Sequence, residues 1–120
     1  MVLTSGEGAT AFALGDVGYI SADNTVKLAL SNGTIAQASA LCICIEAAGV
    51  AAGATGRFVF GGRVTGLAGG TAGTLAYLSG VTAGKIVAAP NLTVGQYNEF
   101  VGTWIAATVL EFAPGIPTLN

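Results

Sequence analysis

Gly15-Asp16-Val17-Gly18-Tyr19-Ile20-Ser21-Ala22-Asp23-Asn24-Thr25-Val26-Lys27-Leu28-Ala29-Leu30 decides the fold class of this chain. Val17 to Ser21 and Thr25 to Leu30 flank a turn cluster, Ala22-Asp23-Asn24. In the second run Val26, Leu28 and Leu30 share one face and Lys27 takes the other, the period-two alternation of a half-buried strand. The stretch therefore predicts a β-hairpin. Gly15-Asp16 opens it, and Ser31-Asn32-Gly33-Thr34 closes it with a second turn signal, because Asn-Gly readily takes positive φ.

The same rhythm continues outward. Leu41, Ile43 and Ile45 alternate with Cys42, Cys44 and Glu46, which reads as a strand over Leu41 to Ala47. A short helix across Ile35 to Ile45 competes with it, since Ala and Gln favour helix, but the β-branched content and the alternation favour strand. Arg57 to Phe60 and Arg63 to Leu67 read as two short strands joined at Gly61-Gly62, a bulge or tight bend. Leu75 to Ser79 pairs with Lys85 to Ala88 across Gly80 to Gly84, and Pro90 stops the second of these. Asn91 to Asn98 is a polar connection. Glu99 to Ile105 and Thr108 to Phe112 supply the last two strands before Pro114-Gly115 and Pro117. Nineteen glycines spread along the chain divide it into these short pieces. Strand, glycine and strand recur throughout, yet no sequence repeat stands out. The expected architecture is all-β: a small single-domain β-barrel or β-sandwich of short antiparallel strands with Gly-rich turns. Residues 1–14 form an N-terminal arm, 15–114 the β domain and 115–120 an extended C-terminal tail.

Composition narrows the function. The chain has 120 residues, 52% hydrophobic but only 8% charged. A solvated surface ordinarily carries about 25–35% charged residues. Either neutral small residues cover this protein, or neighbouring subunits do. Lys27, Arg57, Arg63 and Lys85 are its only basic residues, scattered without a run. Nucleic-acid affinity rests on neutralising phosphates with Lys and Arg, so the sequence argues against DNA or RNA as a partner. A polybasic membrane patch is missing for the same reason. The uncharged stretches Leu28–Ile45 and Val64–Gly84 are broken by Gly, Ser and Thr and do not read as membrane spans. Met1 to Thr10 lacks the basic and apolar regions of a signal peptide, which implies synthesis in the cytoplasm.

The chemistry of catalysis is thin. Without histidine there is no Ser-His or Cys-His dyad. Of the carboxylates, Asp16 and Asp23 lie in turns, Glu46 and Glu111 at strand ends, and Glu7 and Glu99 complete the set; each is explained as a solvated or turn carboxylate. Gly53-Ala54-Thr55-Gly56-Arg57 is no phosphate loop, because Arg57 opens a strand where that motif needs Gly-Lys-Ser/Thr opening a helix. Asp16 and Asp23 lack the interleaved acidic ligands of a calcium loop. Cys42 and Cys44, two apart on a strand, have Cα atoms about 7 Å apart, the outer limit for a disulfide, and read as two small apolar side chains. A zinc site would need more ligands than two cysteines. No enzyme and no cofactor are expected. Phe58, Phe60, Tyr77, Phe100, Trp104 and Phe112 all fall in strands and read as core first and interface second. Trp104 and Tyr97 are the aromatic candidates for an interface, where both types are enriched.

Three pieces carry a resemblance. They are Gly15-Asp16-Val17-Gly18-Tyr19-Ile20 with its hairpin; Gly49-Val50-Ala51-Ala52-Gly53-Ala54-Thr55-Gly56-Arg57-Phe58-Val59-Phe60-Gly61-Gly62-Arg63-Val64; and Gly73-Thr74-Leu75-Ala76-Tyr77-Leu78-Ser79 with Gly84-Lys85-Ile86 and Val101 to Pro114. With them the chain resembles the small head-decoration, or capsid cement, proteins of tailed bacteriophages. The resemblance covers most of the chain, through motifs that are compositional and degenerate. It implies a β-rich barrel or sandwich on the capsid exterior, assembled as a homotrimer, with the major capsid protein as partner and no catalytic residues. Val2 to Ala11 resembles an arm that orders on the capsid lattice. Val2, Leu3, Phe12, Tyr97 and Trp104 are the candidate subunit or capsid contacts. The alternatives are a tail or fibre component, in which similar strand-glycine modules occur, and a non-enzymatic binding or adhesin module.

Overall fold

The computed structural model describes residues 1–39 and 42–120. The chain is all-β and folds as two five-stranded units side by side. The first is a closed barrel of β1 (Val2–Ser5), β2 (Val17–Ala22), β3 (Thr25–Leu28), β4 (Cys42–Cys44) and β5 (Thr55–Val59), in the order β1-β3-β2-β4-β5. The expected hairpin is β2–β3. Asn24, at φ 53°, makes its turn, and Val26 and Leu28 are buried while Lys27 is exposed. The helix and strand readings of the next stretch each hold for part of it. A single turn, α1 (Ile35–Ala38), starts at a Thr34–Gln37 capping box, and the strand that follows is Cys42–Cys44. Leu41, the expected start of that strand, lies outside the described residues.

The N-terminal segment is not an arm. Strand β1 closes the barrel, pairing parallel with β3 and antiparallel with β5. Leu3 is buried, and so is Phe12, whose ring meets Phe58 edge to face at 5.1 Å. Pairing within the chain satisfies the backbone groups that a free arm would leave to solvent. Among the described residues, the parallel β1–β3 pair is also the one departure from the expected antiparallel pattern.

The second unit is a sheet of β6 (Gly62–Val64), β7 (Leu75–Leu78), β8 (Ile86–Val87), β10 (Phe100–Ala106) and β11 (Val109–Phe112), in the order β6-β11-β10-β7-β8. Gly61-Gly62 does bend the chain, with Gly62 at φ 101°, but the strands on either side belong to different units. The tail is not free either. Strand β12 (Thr118–Leu119) pairs with β9 (Tyr97–Asn98), and Asn120 donates its side-chain N–H to the Asn91 carbonyl at 2.6 Å.

The two units repeat each other. Each runs strand, hairpin, return strand, last strand, and in each the first strand lies antiparallel to the last. The order β3-β2-β4-β5-β1 matches β8-β7-β10-β11-β6. Registers agree residue by residue. Tyr19 and Ile20 face Lys27 and Val26, as Tyr77 and Leu78 face Val87 and Ile86. Gly18 faces Cys42, as Ala76 faces Gly102. The turns agree too. Gly15 and Gly73, both at positive φ, donate to the carbonyls of Cys44 and Trp104, and Asp16 and Thr74 accept from the amides of those same residues. Gly15-Asp16-Val17-Gly18-Tyr19-Ile20-Ser21 thus stands over Gly73-Thr74-Leu75-Ala76-Tyr77-Leu78-Ser79, with Gly, Tyr and Ser in common.

Two apolar clusters hold the units together. One, around Phe12, Phe58, Val26 and Leu3, fills the barrel. The other joins Val17 and Ile43 of the barrel to Leu78, Val101, Trp104, Leu110 and Phe112 of the sheet. Cys42 and Cys44 are buried free thiols, as their strand spacing implies. Burial pushes the Cys42 thiol up to about 12.

Candidate functional site

The units differ in one respect. In the barrel, β1 covers the outer edge of β3: Thr4 donates to the Asn24 carbonyl, Gly6 donates to the Val26 carbonyl, and the Leu28 amide donates to the Glu7 carboxylate. In the sheet, β6 lies against β11 but does not reach β8. Gly66, at φ 81°, turns the chain off its line directly after β6, and the next amide, Leu67, donates to the Thr108 carbonyl. A left-handed backbone at this point cannot continue a ladder.

The outer edge of β8 is therefore only partly covered. Gly84 occupies the place of Asn24, again at positive φ, and its carbonyl accepts from Val17 as Asn24 accepts from Thr4. Next along the edge is Ile86, in the place of Val26. The Ser79 amide donates to Lys85, and the Leu78 amide turns to Glu99 on the far side. Because an antiparallel ladder alternates, Ile86 directs its N–H and C=O away from β7. Among the described residues neither group has a recorded partner.

A cleft of about 480 Å³ opens at this edge. Leu67, Ala68 and Trp104 form one wall, Lys85 and Ile86 another, and Ala13 to Asp16 with Ala47 of the barrel the third. A ligand pocket typically spans about 300–1,000 Å³. Trp104 lies flat against Gly70, where a Cβ would collide with the indole ring. The charges in the cleft cancel: Lys85 Nζ meets Asp16 Oδ1 at 2.7 Å, and the other Asp16 oxygen accepts from the Ala13 amide at 2.9 Å. The cleft is thus neutral, its wall divided about evenly between polar and apolar surface, with Ile86 of β8 on its border.

Of the candidate subunit or capsid contacts named in the sequence, only Trp104 lines this cleft. Leu3 and Phe12 are 2% and 1% exposed, so neither can contact another molecule, and they are withdrawn as interface candidates. Strand alternation turns Leu3 into the barrel, and Phe12, at an isolated bridge to Val50, fills it against Phe58. Val2 is exposed beside Arg57, and Tyr97 is half-buried in the β9–β12 pair. Leu14, Asp16, Leu67, Lys85 and Ile86 were not anticipated as site residues. The likeness between residues 15–21 and 73–79 was the signal that could have found the cleft, by aligning one edge with the other.

Most of the carboxylates have structural work. Glu46 binds the Arg57 guanidinium and backbone amide, which together hold its carboxyl below the usual carboxylate range. Glu111 pairs with Arg63 at 3.6 Å, and Glu7 caps β3.

A second surface feature lies away from the cleft. Val81, Val94 and Ile116 are 90%, 88% and 90% exposed, and Leu92 and Leu119 are exposed beside them on the segments that β9 and β12 join. No family model, curated protein or solved structure matches the chain.

Proposed function

We propose that this protein is a structural subunit that decorates the outside of a bacteriophage capsid and binds between capsomers, with the major capsid protein and further copies of itself, as a homotrimer, for partners. The observation that carries the reading is the surface. A chain with ten charged residues in 120 also leaves Val81, Leu92, Val94, Ile116 and Leu119 in solvent on adjoining segments. Exposed apolar side chains on segments that the β9–β12 pair brings together offer surface for protein association. Burying it contributes roughly 25 cal/mol per Å². Low charge lets such faces meet without desolvating ions. Repetition over a symmetric lattice then adds avidity to a modest single contact.

The closed barrel and the pinned termini suit this role, since a rigid body loses little conformational entropy on docking. The resemblance noted in the sequence points the same way. A tail or fibre component of the same kind of particle would share this composition, and copy number separates the two. The direct test mixes the purified protein with capsids that lack it and sediments the particles. Saturable co-sedimentation that Val94→Asp/Ile116→Asp abolishes is the expected result. A protein that stays in the supernatant would overturn the proposal.

A further inference from the structure

We propose that Asn91 is the positioning residue of the exposed apolar face. Its amide clasps the loop that carries Leu92 and Val94 to the barrel, and its carbonyl holds the C-terminal segment that carries Ile116 and Leu119. The face is thereby set in one arrangement before it docks, with the partner taken from the capsid reading above, on which this role rests.

Asn91 is half-buried, and its side chain makes three hydrogen bonds. Nδ2 donates to Ser31 Oγ and to Gln96 Oε1, both at 2.9 Å, and Oδ1 accepts from the Thr93 amide at 3.1 Å. Ser31 follows β3, is fully buried, and donates to the Leu78 carbonyl at 3.3 Å, so this end of the clasp is fixed in the core. At the other end Asn120 Nδ2 donates to the Asn91 carbonyl at 2.6 Å. The Asn120 backbone completes the joint: its N–H donates to the Gln96 carbonyl at 2.9 Å, and its carbonyl accepts from the Gly95 amide at 3.1 Å. Gly80 rests on the same amide, since a Cβ there would collide with Asn91 Nδ2, and so the turn that carries Val81 is seated on the clasp as well. Only a neutral carboxamide offers two donors and an acceptor on so short a stem; Asp brings no donor, and Ser or Thr only one. Residues 86–98 and 113–120 carry no charged side chain, so no ion pair does this work. Leu92, Thr93, Val94 and Gly95 are all exposed, and the ladder beside them is the two-residue β9–β12 pair. Loops already held in place lose less conformational entropy on docking than loops a partner must order.

Asn91→Ala removes the three side-chain bonds and leaves every exposed apolar residue in place. Amide hydrogen exchange of the full chain is compared with and without it. The expected result is exchange faster by about tenfold or more at the Thr93, Gly95, Gln96 and Asn120 amides, with the Phe12 and Val50 amides of the barrel unchanged. Co-sedimentation with capsids that lack the protein is expected to weaken by about tenfold. Combined with Ile116→Ala, the loss is expected to fall short of the product of the two single losses, because both changes act on one face. Should Asn91→Ala not fold, Asn120→Ala, which removes only the side-chain donor to the Asn91 carbonyl, tests the tail end of the clasp by faster exchange at the Gly95 amide. Unchanged exchange in loop and tail would overturn the inference. So would a rise spread equally over the barrel, which would make Asn91 a support of the whole fold. Full co-sedimentation by Asn91→Ala while its loop exchanges freely would also overturn it. Unaltered protein that stays in the supernatant would overturn the capsid reading instead, and the exchange rates would still decide the clasp.

Discussion

Gly102 shows how closely single residues are fitted here. It lies on β10 opposite Phe112, and a Cβ at this position would run into the Glu111 carbonyl oxygen and lie 3.1 Å from the Glu111 carbonyl carbon. Both are backbone atoms, held by the β10–β11 ladder, so neither can step aside. Gly102→Ala is expected to cost about 1–3 kcal/mol, as overpacking does, and to lower Tm by roughly 4–12 °C. Gly8→Ala is the control: nothing lies within 4 Å of its Cβ, and the effect expected is less than about 0.5 kcal/mol. Thermal unfolding of the two variants side by side checks the pair, and equal melting points would contradict the packing described.

Among the elements, β1 separates an arm from a wall of the barrel. A segment waiting to order on a partner would tolerate truncation at every position. A closing strand tolerates it only on its outer face. Leu3→Ala is expected to destabilise by about 2–4 kcal/mol, the range for a buried leucine, whereas Val2→Ala, 61% exposed, should stay within about 0.5 kcal/mol. Denaturant unfolding measures both, and a neutral Leu3→Ala would restore the arm. The hairpins were legible in the sequence because they are local: Asp23-Asn24 and Gly80 to Gly84 mark turns, and the alternation around Val26 and Ala76 sets the inward faces. Strand β1 was not legible. Val2 to Ser5 is short, two apolar residues followed by two polar ones with no period-two alternation, and its pairing with Thr25 and Thr55 is set by closure of the barrel rather than by any neighbour in sequence. The repeat escaped notice for a related reason. Its two halves share backbone register and glycine turns, while the side chains that fill them differ, as Cys42 and Gly102 do. The cleft follows from the turn at Gly66, which leaves β8 uncovered where β1 covers β3, so of the candidate contacts only Trp104 lines it, chosen in advance as an aromatic and not as part of a cleft.

At the scale of the whole molecule, the shape is a flat body of 32 × 32 × 20 Å, with barrel and sheet laid side by side over a shared core. Its all-β class and its sparse charge were plain from composition and periodicity. The location of the exposed apolar segments was not, since Val81, Val94 and Ile116 look like any loop residues until the β9–β12 pair joins two of their segments. On the proposed decorating role, neighbouring subunits would cover these segments. The measurement that tests this most directly is its copy number, by quantitative mass spectrometry on gradient-purified virions. The account predicts a high copy number in a fixed ratio to the major capsid protein. A handful of copies per particle, or none, would contradict it.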